Sequence, residues 1–333
     1  MAAVIILGGG IGGVVAANVL SKTLDKKHRI VLVDRKDSHV YQSSYPLTIV
    51  NKRNPKNITR RLDILQKKGI EFIQAEVKSI NPEQCNVQTD KGIIDYDFLI
   101  VSPGVEHHPE TVPGFKDGAY NVYNFDDVSR LQNTLKEFKK GKIVFFISSV
   151  PYTYPPAPYE ITFLLDAYFR ERGIRENVEL SVITPEPSPE ALGRPAVQKR
   201  LRDLLKQRQI GLTTEAKVLS LDTSTNTLHL DQGITAEADL FLGVPSHWGP
   251  GVMENTGLVT EGNWIEVDPH TMQTKNEQIY AIGDATALRL PVMRVWAPKA
   301  GIFAHYQSEV VARNIASKIM GKKPSFRFTA KGA

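Results

Sequence analysis

The chain has 333 residues, 41% hydrophobic and 23% charged, with a net charge of +5. That length suits two domains better than one core, and the composition is globular. No apolar run reaches the roughly 18 residues of a transmembrane helix, and the N-terminus has neither the basic region nor the long apolar stretch of a signal peptide. Lys and Arg are scattered, with small clusters at Lys139-Lys140-Lys142 and Lys322-Lys323 that lack interleaved aromatics. The charge therefore reads as a solvated surface with at most weak attraction to an anionic membrane, and no nucleic-acid partner is expected. The single cysteine, Cys85, excludes an intramolecular disulfide and a multi-cysteine metal site. It lies in a turn before a short strand and reads as structural.

In chain order, Val4-Ile5-Ile6-Leu7 predicts a strand, Gly8-Gly9-Gly10-Ile11-Gly12-Gly13 a turn, and Val14 to Leu20 a helix. Ile30-Val31-Leu32-Val33 predicts a second strand ending at Asp34. This is the order of a dinucleotide-binding βαβ unit. Gly8 permits the tight turn, Gly10 lets a pyrophosphate approach the backbone, and Gly13 lets helix and strand pack closely. The helix N-terminus offers N–H groups to the phosphates, and Asp34 can accept from a ribose. The motif alone does not choose between FAD and NAD. A broken polar stretch follows between Ser38 and Asn57, and Tyr96 to Val101 predicts a strand that turns out at Ser102-Pro103-Gly104.

A second strand–helix–strand unit is predicted from Lys142 to Ile147, about Ala157 to Arg172, and Val178 to Ile183, ending at Thr184-Pro185-Glu186. Ile161, Leu164, Leu165, Tyr168 and Phe169 give its helix one apolar face. Leu201 to Leu205 suggests another helix, and the segments beginning at Val218 and Thr227 an antiparallel ribbon. Asp239 to Pro245 is expected to return the chain to the first domain. Where this unit should carry its glycines, the chain reads Ser148-Ser149-Val150-Pro151-Tyr152-Thr153-Tyr154-Pro155-Pro156-Ala157-Pro158-Tyr159-Glu160. Side chains and prolines there keep a pyrophosphate from the backbone and remove donors, so NADH is not expected to bind in the usual manner. Near the end, Ile279 to Ile282 predicts a strand turning out at Gly283-Asp284, where open α/β sheets bind ligands. Pro298 is expected to begin a helix with Phe303, Val310, Val311, Ile315 and Ile319 on one face, and Phe326 and Phe328 mark the entry to a strand or an extended segment. The histidines at 107, 108, 247 and 305 read as structural, and no metal site is expected.

Thr274 to Asp284 resembles the second flavin motif of flavoproteins with two dinucleotide-binding domains, and Tyr96 to Gly104 resembles the turn where such chains leave the FAD domain. The resemblance implies FAD, with an aspartate on its ribityl chain. Pro155-Pro156-Ala157-Pro158-Tyr159-Glu160, Thr184-Pro185-Glu186-Pro187, Asp34-Arg35 with His39 and Gln42, and Pro298 to Ala304 resemble sulfide:quinone oxidoreductase and the flavocytochrome c sulfide dehydrogenase flavoprotein. Type II NADH dehydrogenases are more distantly similar. The fold implied is α/β with two Rossmann-like domains. FAD-binding segments are expected at 1–105 and 236–320, the second domain at 106–235, and a truncated C-terminal segment at 321–333.

The cofactor-binding positions are then Gly8, Gly10, Gly13, Asp34, Arg35, Val77, Gly104, Gly283, Asp284, Lys299 and Ala300. Glu160, Lys299 and Tyr154 are the catalytic candidates. Glu160 would handle protons, while Lys299 and the helix start behind it would stabilise an anionic reduced flavin. Tyr154 stands where the family has a cysteine, so the persulfide route is missing. The partners implied are a quinone or other small acceptor and a sulfur compound as donor. A homo-oligomer and a cytoplasmic place, peripheral to the inner membrane face in a fuller-length form, are compatible. An NADH:acceptor oxidoreductase and an inactive flavin-binding paralogue are the alternatives.

Overall fold

A computed structural model describes residues 1–189, 194–289 and 296–329. The chain folds into β1 (Ala3–Leu7), α1 (Ile11–Thr23), β2 (Arg29–Asp34), β3 (Glu71–Gln74) and β4 (Phe98–Val101). It continues through β5 (Ala119–Asn121), α2 (Phe125–Glu137), β6 (Gly141–Ile147), α3 (Ala157–Glu171), β7 (Val178–Ile183), α4 (Pro195–Gln207) and β8 (Ile210–Thr213). It closes with β9 (Leu240–Val244), β10 (Ile279–Ala281) and α5 (Gly301–Ile319). Two compact units result: the first from Met1–Val40, Thr59–Glu106 and the chain from Trp248 on, the second from Tyr41–Ile58 and His107–His247. Among the described residues, no helix is long and apolar enough to cross a membrane.

The first unit holds a parallel sheet in the order β10-β4-β1-β2-β3, with Ile5 opposite Val31 and Leu99. Apolar residues run unbroken along β1 and β2 because both faces are covered. Val4, Ile6, Ile30 and Leu32 face a core with Ala16, Ala17 and Leu20 of α1 and Val311, Ala312 and Ile315 of α5. Ile5, Leu7, Val31 and Val33 face a second core with Ile80, Val87 and Ile94 of a small antiparallel sheet. Small residues on α1 and α5 let the helices approach closely, and Ser308 donates its hydroxyl to the Gly12 carbonyl at 2.8 Å.

The second unit repeats the plan with a parallel sheet ordered β5-β9-β6-β7-β8. Ile161, Leu165 and Phe169 of α3 are buried, as are Val128, Leu131 and Leu135 of α2. The other sheet face packs Val144, Phe146 and Phe241 against Phe115, Leu221 and Leu228. Asp166, fully buried on α3, accepts from Arg170, Arg175 and Arg208 and ties the helix to the loops before β7 and β8.

Three particulars differ from the sequence reading. Tyr41–Ile58 sits with the second unit, since the short helix Tyr45–Ile49 buries Tyr45 and Ile49 and Gln132 of α2 donates to the Thr48 carbonyl. The 239–245 segment does not return the chain to the first unit. β9 is an inner strand of the second sheet, and Gly243 leaves room for the Phe115 and Phe146 rings. The last helix begins at Gly301, not Pro298, because the Lys299 side chain is tied to the turn after β10. The last described residues, 321–329, pair in no ladder, which leaves the extended segment of the two expectations; Phe328 is buried against Phe303, and its N–H donates to the His270 carbonyl at 2.7 Å.

Candidate functional site

The turn after β1 is built by steric exclusion. Gly8 has φ of 100°, and a Cβ there would run into the Ser102 carbonyl. A Cβ at Gly13 would run into the Gly8 carbonyl oxygen, whereas one at Gly10 would meet nothing within 4 Å. The open position is the one at which a pyrophosphate needs backbone access. Gly10 is the N-cap of α1 and no side chain caps that helix, which leaves its first-turn donors for an anion. Asp34, at the end of β2, accepts from the Gly9 N–H at 2.5 Å and the Lys36 N–H at 2.7 Å. Carboxylate oxygens have further lone pairs, so Asp34 can order the turn and still accept from a ribose. His39 Nδ1 lies 2.8 Å from the Gly9 carbonyl oxygen.

Gly104 has φ of 80° with open space around it, just beyond β4. Arg35 is exposed and Gln74 donates to its carbonyl. Val77 opens a strand of the small antiparallel sheet and packs into the core beneath it.

At the end of β10, Gly283 has φ of 71° and donates its N–H to Oε1 of the buried Gln307 at 2.6 Å. Gly283, Asp284, Thr286, Lys299, Phe303 and Gln307 line a recess there. Lys299 is only 5% exposed. Its ammonium donates to the carbonyls of Asp284 at 2.7 Å and Thr286 at 3.2 Å, and lies 3.8 Å from the Trp264 ring centroid. Burial pulls its pKa down from 10.5 to about 8, while the nearby Asp284 charge opposes the shift. The ammonium fastens the turn after β10 to the segment before α5. Ala300 is the N-cap of α5, again with no side-chain cap. The glycine turn, the acid after β2, the recess at Asp284 and the uncapped α5 start fit FAD. Bound there, FAD would supply two-electron transfer between a donor and an acceptor.

The remaining candidates lie in the second unit. Tyr154 is 37% exposed with φ of 51°, and its hydroxyl donates to Oε2 of Glu160, in the first turn of α3, at 3.0 Å. The His107 and His247 rings meet at a tilt of 56° with centroids 4.6 Å apart, and no metal-binding group occurs among the described residues. Cys85 donates to Oε1 of Gln278 at 3.2 Å within the first unit. Gln307, which lines the recess, and Trp264, whose ring lies against the Lys299 ammonium, escaped the sequence reading because neither sits in a motif. Only the buried face of α5 could have pointed to Gln307.

Two dinucleotide-type sheets, one with an open glycine turn, define an FAD-dependent oxidoreductase of two Rossmann-like domains. The chain belongs to the pyridine nucleotide-disulphide oxidoreductase family, whose pattern matches residues 2–147 and 167–308. It is 23% identical to the mitochondrial sulfide:quinone oxidoreductase of Mus musculus, over 96% of this chain and 72% of that protein. The sulfide-quinone reductase of Aquifex aeolicus is 26% identical, over 95% and 76% respectively. Its crystal structure matches this fold with a TM-score of 0.87 at 24% identity, covering 96% of this chain and 78% of that one. A type II NADH:quinone oxidoreductase of Staphylococcus aureus is 21% identical, over 99% and 86%.

Proposed function

We propose that this chain passes electrons from a sulfur compound through FAD to a quinone-type acceptor, by a route that uses no cysteine persulfide. The observation that carries the reading is the contrast between an open glycine turn in the first unit and a glycine-free, tyrosine-filled turn in the second. The chain offers a flavin site and withholds a nicotinamide site. Relatives named for sulfide and quinone, matched over nearly the whole chain, supply the donor and acceptor classes. Tyr154 and Glu160 serve as the proton-handling pair, with the Tyr154 phenol where the family's thiol would stand. The first unit carries the FAD, Asp284 holds its ribityl end, and the protein sits peripherally on the inner face of the cell membrane. Relatives named for NADH and quinone share the acceptor, so the competing reading differs only in its donor.

The test is anaerobic reduction of the FAD-loaded protein, watched at the flavin band, followed by addition of a soluble quinone. Sulfide or a low-molecular-weight persulfide is expected to bleach the band and the quinone to restore it. Bleaching by dithionite alone, with no response to sulfur compounds, would overturn the reading in favour of the inactive paralogue.

A further inference from the structure

In both units the acid after the second βαβ strand is bonded back to the turn after the first strand, but by different groups. Asp34 takes a backbone N–H of the glycine turn. Its counterpart Glu186, at the carboxyl end of β7, is 4% exposed and takes side chains. Its Oε2 accepts from the hydroxyls of Tyr159 at 2.7 Å, Thr184 at 3.0 Å and Tyr152 at 3.2 Å. Tyr152 lies in the turn after β6 and Tyr159 in the first turn of α3, both 2% exposed. Those are the positions that the glycines and helix start hold in a nucleotide-binding unit.

We propose that the second unit is liganded by its own side chains: the phenols of Tyr152 and Tyr159 take, on Glu186, the place of a dinucleotide's ribose hydroxyls. These three residues thereby determine that a nicotinamide is not the donor.

The chemistry of the pairing supports this. A ribose presents two neighbouring hydroxyls to the acid at this point of the fold. Here two hydroxyls already point there, on rings that fill the space a sugar needs. Burial, then the charge of Glu186, pushes the Tyr152 phenol well above its ordinary 10, so it stays protonated and donating. An incoming ribose would have to displace both buried phenols from the carboxylate, leaving the Tyr152 hydroxyl the Pro155 carbonyl at 3.1 Å as its acceptor, a penalty that favours the closed form. Pro151, Pro155, Pro156 and Pro158 remove the N–H groups that a pyrophosphate would use. The inference rests on the fold and not on the donor or acceptor proposed above.

The experiment measures binding alone, on FAD-loaded protein with no acceptor, so its failure is separate from that of the sulfur reading. NADH is titrated by its fluorescence and adenosine by calorimetry. Wild type is expected to show no saturation by NADH up to about 1 mM. Tyr152→Ala/Tyr159→Ala is expected to gain at least tenfold in affinity for adenosine, and Glu186→Gln added to it to remove that gain. Submillimolar NADH saturation in wild type, or no gain in a double variant that keeps FAD and melts cooperatively, would overturn the proposal. If the double variant does not fold, Tyr159→Phe and Glu186→Gln carry the test through their melting temperatures. Together they should cost no more than the larger single effect. Additive losses would mean that Tyr159 and Glu186 are not coupled, and the proposal would fall.

Discussion

The two units share one strand plan and treat the same corner of it in opposite ways. In the first, small residues leave the turn after β1 open, and its shape is held by backbone: Gly8 against Val33, Gly9 on Asp34. In the second, the turn after β6 is packed shut, and its shape is held by phenols on a buried carboxylate. A sheet of this topology creates a cleft at its carboxyl edge whether or not it binds anything. What decides occupancy is which groups satisfy the acid at the end of the second strand. Backbone partners leave space for a ligand; side-chain partners fill it.

The comparison breaks most sharply at Gly13. A β-branched side chain there has to displace the Gly8 carbonyl, so Gly13→Val is expected to cost about 3 kcal/mol or more and to yield protein without FAD. Flavin absorbance after gel filtration, with a urea melt, reads both effects. Yellow protein of wild-type stability would mean that helix and strand do not pack as closely as described.

Removing the acid from the closed corner comes next. Glu186→Ala leaves the Tyr152, Tyr159 and Thr184 hydroxyls without that acceptor, for an expected loss of about 2 kcal/mol with FAD retained. Loss of FAD without loss of stability would put Glu186 in cofactor binding and erase the contrast.

Gly10→Ala sharpens the contrast instead. The methyl meets nothing in the protein, so stability should change by less than about 1 kcal/mol. It stands where a pyrophosphate must approach, so FAD affinity is expected to fall by roughly tenfold, about 1.4 kcal/mol. Unchanged FAD affinity by equilibrium dialysis would move the phosphates away from this turn.

The open corner was legible in the sequence and the closed one only by subtraction. Gly8, Gly10, Gly13 and Asp34 act through backbone conformation at fixed spacing, which a linear pattern carries. The missing glycines after β6 were equally visible. What filled their place was not, because Glu186 meets Tyr152 and Tyr159 across 34 and 27 residues, and only the folded chain brings them together. The strand at Leu240–Val244 is legible as apolar, but four apolar residues and a glycine do not say which sheet they complete. Lys299 was singled out as a charge for the flavin. Trp264, from a segment no motif marks, helps to bury it, and its donors go to backbone carbonyls.

The smallest expected effect concerns that lysine, a buried cation of the open unit as Glu186 is a buried acid of the closed one. With a folded pKa near 8 against 10.5, Lys299 is charged in both states below pH 8, and the folded chain then bears the full cost of burying the ammonium. Between about pH 8 and 10.5 the folded protein has given up a proton that the unfolded chain still holds. The unfolded state binds more protons there, so this residue's contribution to stability rises with pH, by roughly 1 kcal/mol per unit. Lys299→Met has no such group. Urea melts of wild type and variant are therefore expected to give a stability difference that is flat from pH 6 to 7.5 and moves in favour of wild type from 8 to 9.5. A difference that stays flat through 9.5 would mean that the carbonyls of Asp284 and Thr286 and the Trp264 ring hold the ammonium charged throughout. Lys299 would then be a permanent cation beneath the recess, as Asp166 among its arginines is a permanent anion in the other unit.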